Sequence, residues 1–228
     1  MYSEFLKEGE EKRLERVVAL LRPDVPHHRE CPQDLLRRRV EALGAQLEIV
    51  HHPELLAEAL VQADVYLGNL MTARLLEAAR KLRWIHVPLA GVDRLLIPEL
   101  VQSDIIVTNS RGAMAPEVAE HALALMMALT RDIDLAARGQ AARQWWDLRG
   151  MRKPLALSGL TLGIVGYGTI GRELARRARA LGMEVVAVRR RVVEAGAEPD
   201  PWVSRVVPTE RLKEVLGISD VVVLAVPL

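Results

Sequence analysis

The stretch TLGIVGYGTIGRELARRARALGMEVVAVRRR, Thr161 to Arg191, decides how the rest of the chain is read. Gly166, Gly168 and Gly171 form G-x-G-x-x-G, a weak pattern alone because three glycines arise at that spacing by chance. The surroundings strengthen it. LTLGIV before the glycines has the pattern of a buried strand, and TIGRELARRARALG after them is helical, with Ile170, Leu174, Ala175 and Ala178 along one face. Gly182 stops the helix and EVVAV supplies a second strand. This strand–turn–helix–strand unit is the context in which the glycines bind phosphates. Gly166 permits the tight turn, Gly168 lets the backbone approach a pyrophosphate, and Gly171 lets the helix pack closely on the sheet. Phosphates then meet unpaired N–H groups at the helix start, where the dipole favours negative charge. Tyr167, Thr169 and Ile170, set among the glycines, join the expected cofactor contacts. The alternative is a glycine-rich turn in an α/β domain that binds no nucleotide.

The second strand ends at Val188. About 20 residues past such a loop an NAD site normally places Asp or Glu for the ribose hydroxyls. Here the sequence reads Arg189-Arg190-Arg191. An acid would repel a 2′-phosphate, whereas arginines hold it with charged, forked hydrogen bonds, so NADP is the expected cofactor and NAD the alternative. A solvated basic loop that leaves the choice undecided remains open.

Upstream, short apolar strands alternate with helical stretches. RVVALL (16–21), LEIVH (47–51), VYLGN (65–69), WIHVP (84–88) and IIVTN (105–109) read as strands, with helices near Pro32–Leu43, Pro53–Gln62 and Thr72–Leu82 between them. Such alternation predicts parallel sheets covered by helices. A domain boundary is expected near 105–112, giving domains 1–108 and 109–228. The segment 115–144 opens with Pro116, suited to a first helical turn, and runs apolar on every side from Ala122 to Leu129. A helix of that kind is expected to be buried all round, between domains or subunits or as ordinary core.

Composition excludes several classes. Net charge is +1, so no global field recruits nucleic acid or an anionic membrane. The single cysteine, Cys31, rules out an internal disulfide and fits a reducing compartment. No apolar run approaches the ~20 residues of a membrane helix, and the charged N-terminus, with residues 1–14 expected as a solvated tail or frayed helix, lacks a signal-peptide core. A cytoplasmic protein is expected.

With these motifs placed, the chain resembles the D-isomer-specific 2-hydroxyacid dehydrogenases, especially glyoxylate/hydroxypyruvate reductase-like members. The resemblance is carried by LRWIHVPLAGVDRL (82–95), IIVTNSRGAMAPEVAEHALALMMALTRDI (105–133), LSGLTLGIVGYGTIGRELARRARALGMEVVAV (157–188) and SDVVVLAVPL (219–228). It implies a flavodoxin-like N-terminal domain and an incomplete Rossmann domain, with the 115–131 helix at a two-fold dimer interface. It implies that Leu89, Ala90 and Gly91 offer backbone N–H groups to the carboxylate of a small 2-oxo or 2-hydroxy acid, and that Pro227 joins the cofactor site. A plain strand-to-helix turn, with Asp93 near the helix start, would use the same residues. Asn109, Ser110, Arg111 and Met114 would line the domain crossover, Arg111 as a surface salt-bridge residue.

The family's chemistry requires an arginine for the substrate carboxylate, a histidine that exchanges the proton, and a glutamate that orients the histidine. By the resemblance all three lie after the segment matched by DVVVLAVPL, where this sequence ends, so no catalytic residue is expected within it. The expectation is a fragment or frameshifted product of a full dehydrogenase, its VVVLAV strand left as a sheet edge. Of the six histidines, His86 is nearest by position, on the strand before the carboxylate loop, and reads as an ordinary strand residue. His121 is expected packed or interfacial. His27–His28 and His51–His52 lack partners at zinc-site spacing, so no metal is expected. Two functions follow: an NADP(H)-linked reductase lineage, or a catalytically inactive dimerising nucleotide-binding module. A different Rossmann enzyme, such as a methyltransferase, fits poorly with VAEHALALMMAL and the late glycine loop.

Overall fold

The computed structural model describes residues 14–22, 24, 32–145, 154–190 and 200–226. The chain divides into two compact units, residues 1–111 and 112–228.

In the first unit the strands are β1 (Arg16–Leu20), β2 (Gln46–Val50), β3 (Val65–Leu67), β4 (Trp84–Val87) and β5 (Ile106–Asn109). They form one parallel sheet in the order β2-β1-β3-β4-β5, the flavodoxin-like order. The helices are α1 (Gln33–Ala42), α2 (Leu56–Leu60, preceded by a 3₁₀ turn), α3 (Ala73–Ala78) and α4 (Pro98–Val101). Alternate residues of β1 serve the two faces. Val18 and Leu20 join Leu56, Leu60, Tyr66, Ile85 and Val87 in one core, while Val17 and Ala19 join Val40, Leu47 and Val65 in the other. Both faces are covered, which is why these strands read as nearly continuous apolar runs. Asp64, just before β3, accepts both the Glu15 and Arg16 N–H groups at 2.9 Å and so fixes the start of β1.

In the second unit two helices, α5 (Ala115–Thr130) and α6 (Ile133–Ala141), precede β6 (Thr161–Val165), α7 (Thr169–Ala180), β7 (Glu184–Val188), β8 (Arg205–Val207), α8 (Leu212–Ile218) and β9 (Val221–Leu224). The sheet is parallel, in the order β8-β7-β6-β9. The chain builds outward from β6 through β7 and β8, then crosses back to place β9 on the other side of β6. Ligands of open α/β sheets bind at such a reversal, outside the carboxyl ends of the strands. Asp220 repeats at β9 the device seen at β3, accepting the Thr161 N–H at 2.8 Å.

Two expectations about 115–144 are corrected here. It is two helices, because the chain turns at Asp132, which is buried in a left-handed conformation (φ 51°). Nor is α5 buried all round within this chain. Ala115, Ala119 and Met126 pack inward, while Leu125 and Leu129 are 53% and 72% exposed and Val118 is exposed beside them. The sequence is apolar on every side, but the covering partners, α7 and the β6 core, lie on one side only. β9 is an edge strand in the described sheet, with Val221 and Val223 turned to the core and Leu224 exposed. Residues 1–13, which hold most of the expected tail, and Cys31, His27 and His28 lie outside the described residues.

Candidate functional site

The glycine loop joins the end of β6 to α7. Gly166 adopts φ 103°, and its N–H donates to Val188 O at 2.9 Å. A Cβ there would overlap the Ala225 carbonyl oxygen beyond β9, so only glycine fits. Gly168 caps the helix in extended conformation, and nothing lies within 4 Å of where its Cβ would stand. A Cβ on Gly171 would approach Gly166 O to 2.5 Å, so its absence lets α7 close onto the loop. The first helical hydrogen bond runs from Arg172 N to Gly168 O, which leaves the N–H groups of Thr169, Ile170 and Gly171 without an intrahelical acceptor. An open approach at Gly168 and three such donors fit a pyrophosphate cradle. Thr169 is exposed and Ile170 half-buried.

Tyr167 is buried, and the Arg172 guanidinium stands 5.5 Å from its ring centroid. Burial pushes the phenol well above the usual tyrosine range. The nearby Asp200 carboxylate raises it further, although the hydroxyl makes no hydrogen bond of sound geometry, and Arg172 opposes the rise. Asp200 itself lies 3.9 Å from Arg172. Sequence reasoning missed Asp200, because nothing in the motif signals an acid arriving from beyond β7.

At the end of β7, Arg189 is fixed by its backbone, N to Val207 O at 3.0 Å, and is half-buried, while Arg190 is exposed. Neither side chain forms an ion pair with a described residue. Arg191 and Pro227, also expected at the cofactor, lie outside the described residues.

The second candidate group is in the first unit. After β4 the loop Leu89-Ala90-Gly91 is exposed throughout. Its carbonyl groups are held from β5. Asn109 Nδ2 donates to Ala90 O at 2.6 Å, and Ser110 N donates to Leu89 O at 3.1 Å and to Val87 O at 3.0 Å. The N–H groups of Leu89, Ala90 and Gly91 have no acceptor among the described residues. Successive N–H groups form an anion-binding concavity where the backbone turns so that they converge. The Asp93 carboxylate lies 3.6 Å from where a Cβ on Gly91 would stand. No helix starts at Asp93; α4 begins only at Pro98, where proline can take the first helical position.

Arg111 is exposed and makes no ion pair with a described residue. Of the two expectations for His121, packed or interfacial, the first is corrected: it is exposed, because it falls on the outward side of α5. No group of three His, Cys, Asp or Glu among the described residues is placed to hold a metal.

Residues 123–228 match the family described as D-isomer specific 2-hydroxyacid dehydrogenase, NAD binding domain, and so include the whole glycine loop. A hydroxypyruvate reductase of Thermotoga maritima is 33% identical over 165 residues, covering 71% of this chain and 52% of that protein. A D-3-phosphoglycerate dehydrogenase of Archaeoglobus fulgidus is 33% identical over 165 residues, covering 68% of this chain and 28% of that protein. The crystal structure of a D-isomer specific 2-hydroxyacid dehydrogenase family protein from Aeromonas salmonicida has a TM-score of 0.77 at 25% identity, over 94% of this chain and 64% of that one. Residues 123–228 belong to the NAD binding domain of the D-isomer-specific 2-hydroxyacid dehydrogenases. The chain spans about half the length of the hydroxypyruvate reductase. The two candidate groups fall in different units: the glycine loop with Arg189 and Arg190 in the second, the Leu89–Gly91 loop in the first.

Proposed function

We propose that these residues carry the cofactor-holding and carboxylate-holding parts of an NADP(H)-linked oxidoreductase. Its substrate would be a small 2-oxo acid such as glyoxylate or hydroxypyruvate. The observation that carries this reading is the pairing of an open glycine position, Gly168, with free N–H groups at the start of α7. Gly166 to Gly171 would hold the pyrophosphate and Arg189 and Arg190 the 2′-phosphate, with Arg191 and Pro227 in the same site by resemblance. When bound, the nicotinamide supplies the hydride. The N–H groups of Leu89, Ala90 and Gly91 would hold the substrate carboxylate, and Asn109 would keep that loop in shape. By the resemblance, the arginine, histidine and glutamate of the family's proton-transfer chemistry would lie beyond the segment matched by DVVVLAVPL. Residues 1–228 alone are therefore expected to bind without turnover.

Fluorescence titration with NADPH and NADH tests the cofactor reading. NADPH should bind tighter, and Arg189→Ala with Arg190→Ala should abolish the preference. Tighter binding of NADH by the unaltered chain would reject it. Glyoxylate reduction by residues 1–228 at rates typical of enzymes would sink the claim that the chemistry lies elsewhere. Titration with hydroxypyruvate against 3-phosphoglycerate separates the two activities for which the relatives are named. A second reading is a catalytically inactive module that dimerises and binds nucleotide, with the exposed apolar stripe of α5 as its contact surface. Self-association through that stripe is expected under either reading, and a cytoplasmic setting suits the single cysteine.

A further inference from the structure

β4 and β5 run side by side with His86 paired to Thr108, and the polar side chains of this pair are linked in a line. Trp84 Nε1–H donates to Thr108 Oγ1 at 2.8 Å. His86 Nδ1 lies 2.9 Å from the same oxygen, and His86 Nε2 lies 3.2 Å from Ser110 Oγ. The Trp84 indole also meets the His86 ring edge to face, with centroids 6.5 Å apart. The line ends at Ser110, whose own N–H holds Leu89 O in the carboxylate loop.

Donor counting leaves two proton orders along this line. An indole N–H only donates, so Thr108 Oγ1 accepts from Trp84. If Thr108 then donates its hydrogen to Nδ1, the imidazole carries its proton on Nε2 and donates it to Ser110 Oγ. The one hydrogen left over is then that of Ser110, at the loop end of the line. In the opposite tautomer, Nδ1–H donates to Thr108 and Ser110 spends its hydrogen on Nε2. The one left over is then that of Thr108, which has no acceptor among the described residues. With the imidazole doubly protonated, Nε2–H still donates to Ser110, and Ser110 still keeps its hydrogen. The Nε2–H neutral form and the cationic form therefore present the same hydroxyl donor.

We propose that His86 is a positioning residue that holds the Ser110 hydroxyl as a hydrogen-bond donor to the substrate carboxylate, beside the N–H groups of Leu89–Gly91. This rests on the reading of that loop as a carboxylate site. It converts a half-buried strand histidine into the part that sets the direction of a hydrogen-bond line, at the carboxyl end of two strands where α/β sheets receive ligands.

Two measurements on the 228-residue chain test the proposal. The ¹⁵N shifts of the His86 ring should show the Nε2–H tautomer in the neutral form, and the Nδ1–H tautomer would overturn the line whatever the ligand. Calorimetric titration with hydroxypyruvate in the presence of NADPH should show Ser110→Ala and His86→Phe each weakening binding about 10-fold, the size of one hydrogen bond to a charged group. The double variant should lose no more than either single one, and His86→Gln, which keeps a donor near the Nε2 position, should restore most of the affinity. Unchanged affinity in Ser110→Ala would overturn the proposal, and that small change carries the test even where His86→Phe fails to fold. Binding of NADPH without any hydroxypyruvate binding by the unaltered chain would overturn the carboxylate reading itself, while the tautomer would still decide the hydrogen-bond line.

Discussion

At Gly166 a Cβ would meet the Ala225 carbonyl in a backbone region that side chains avoid; at Gly168 it would meet nothing. Gly166→Ala is therefore expected to cost about 2 kcal/mol or more of folding stability, read from chemical denaturation. Gly168→Ala should cost less than about 1 kcal/mol but weaken NADPH binding about 10-fold or more, because the added methyl stands where the pyrophosphate must approach. Two tyrosines make a prediction of another kind. Burial raises the Tyr66 phenol, opposed in part by the Leu70 backbone, and burial first and Asp200 second raise that of Tyr167. A raised folded-state value means the native state holds the proton more tightly than the unfolded chain, whose tyrosines titrate at about pH 10. The contribution to stability is full below about pH 10 and is lost as pH rises from there through the folded-state values. Denaturation midpoints should fall as pH rises above about 10, and Tyr66→Phe with Tyr167→Phe should flatten that fall.

At the level of elements, α5 has two apolar sides of different exposure. Ala119 and Met126 belong to the core it shares with α7 and β6, and Arg177 on α7 reaches back to Glu120 at 3.2 Å while also pairing with Glu173. The adjoining stripe, with Leu125 and Leu129, is left to solvent in the single chain. Leu125→Gln with Leu129→Lys should raise the dimer dissociation constant about 10-fold or more in sedimentation velocity. Monomer stability should stay within about 0.5 kcal/mol, because both side chains are already exposed. A dimer unaffected by these changes would assign self-association to another surface. Hydrophobic pattern alone could not separate the two faces of α5, since both are apolar. The short elements α4 and β8 escaped sequence reading for a related reason: four and three residues are too few to establish a period.

At the scale of the whole molecule, the two units have separate sheets and separate cores. Scanning calorimetry should therefore resolve two transitions rather than one. NADPH at 100 times its dissociation constant should stabilise the unit formed by residues 112–228 by about 2.7 kcal/mol and leave the other transition in place. A shift of both transitions together would mean that the units unfold as one. The parallel α/β fold, the strand–turn–helix unit around the glycines and the family were all readable from residues close together in the chain. Turn geometry, strand burial and helix starts depend on near neighbours, so Gly166, Gly168 and Gly171 state their roles locally. What only the tertiary structure decided lies between distant residues. The N–H groups of Leu89, Ala90 and Gly91 have no acceptor among the described residues, while Asn109 and Ser110, at the end of the next strand, hold the carbonyl side of the loop. His86 gains its hydrogen-bond line because register places it opposite Thr108. Strand register and the covering of one helix face are set by how separate elements pack, and no local pattern of residue types contains that information.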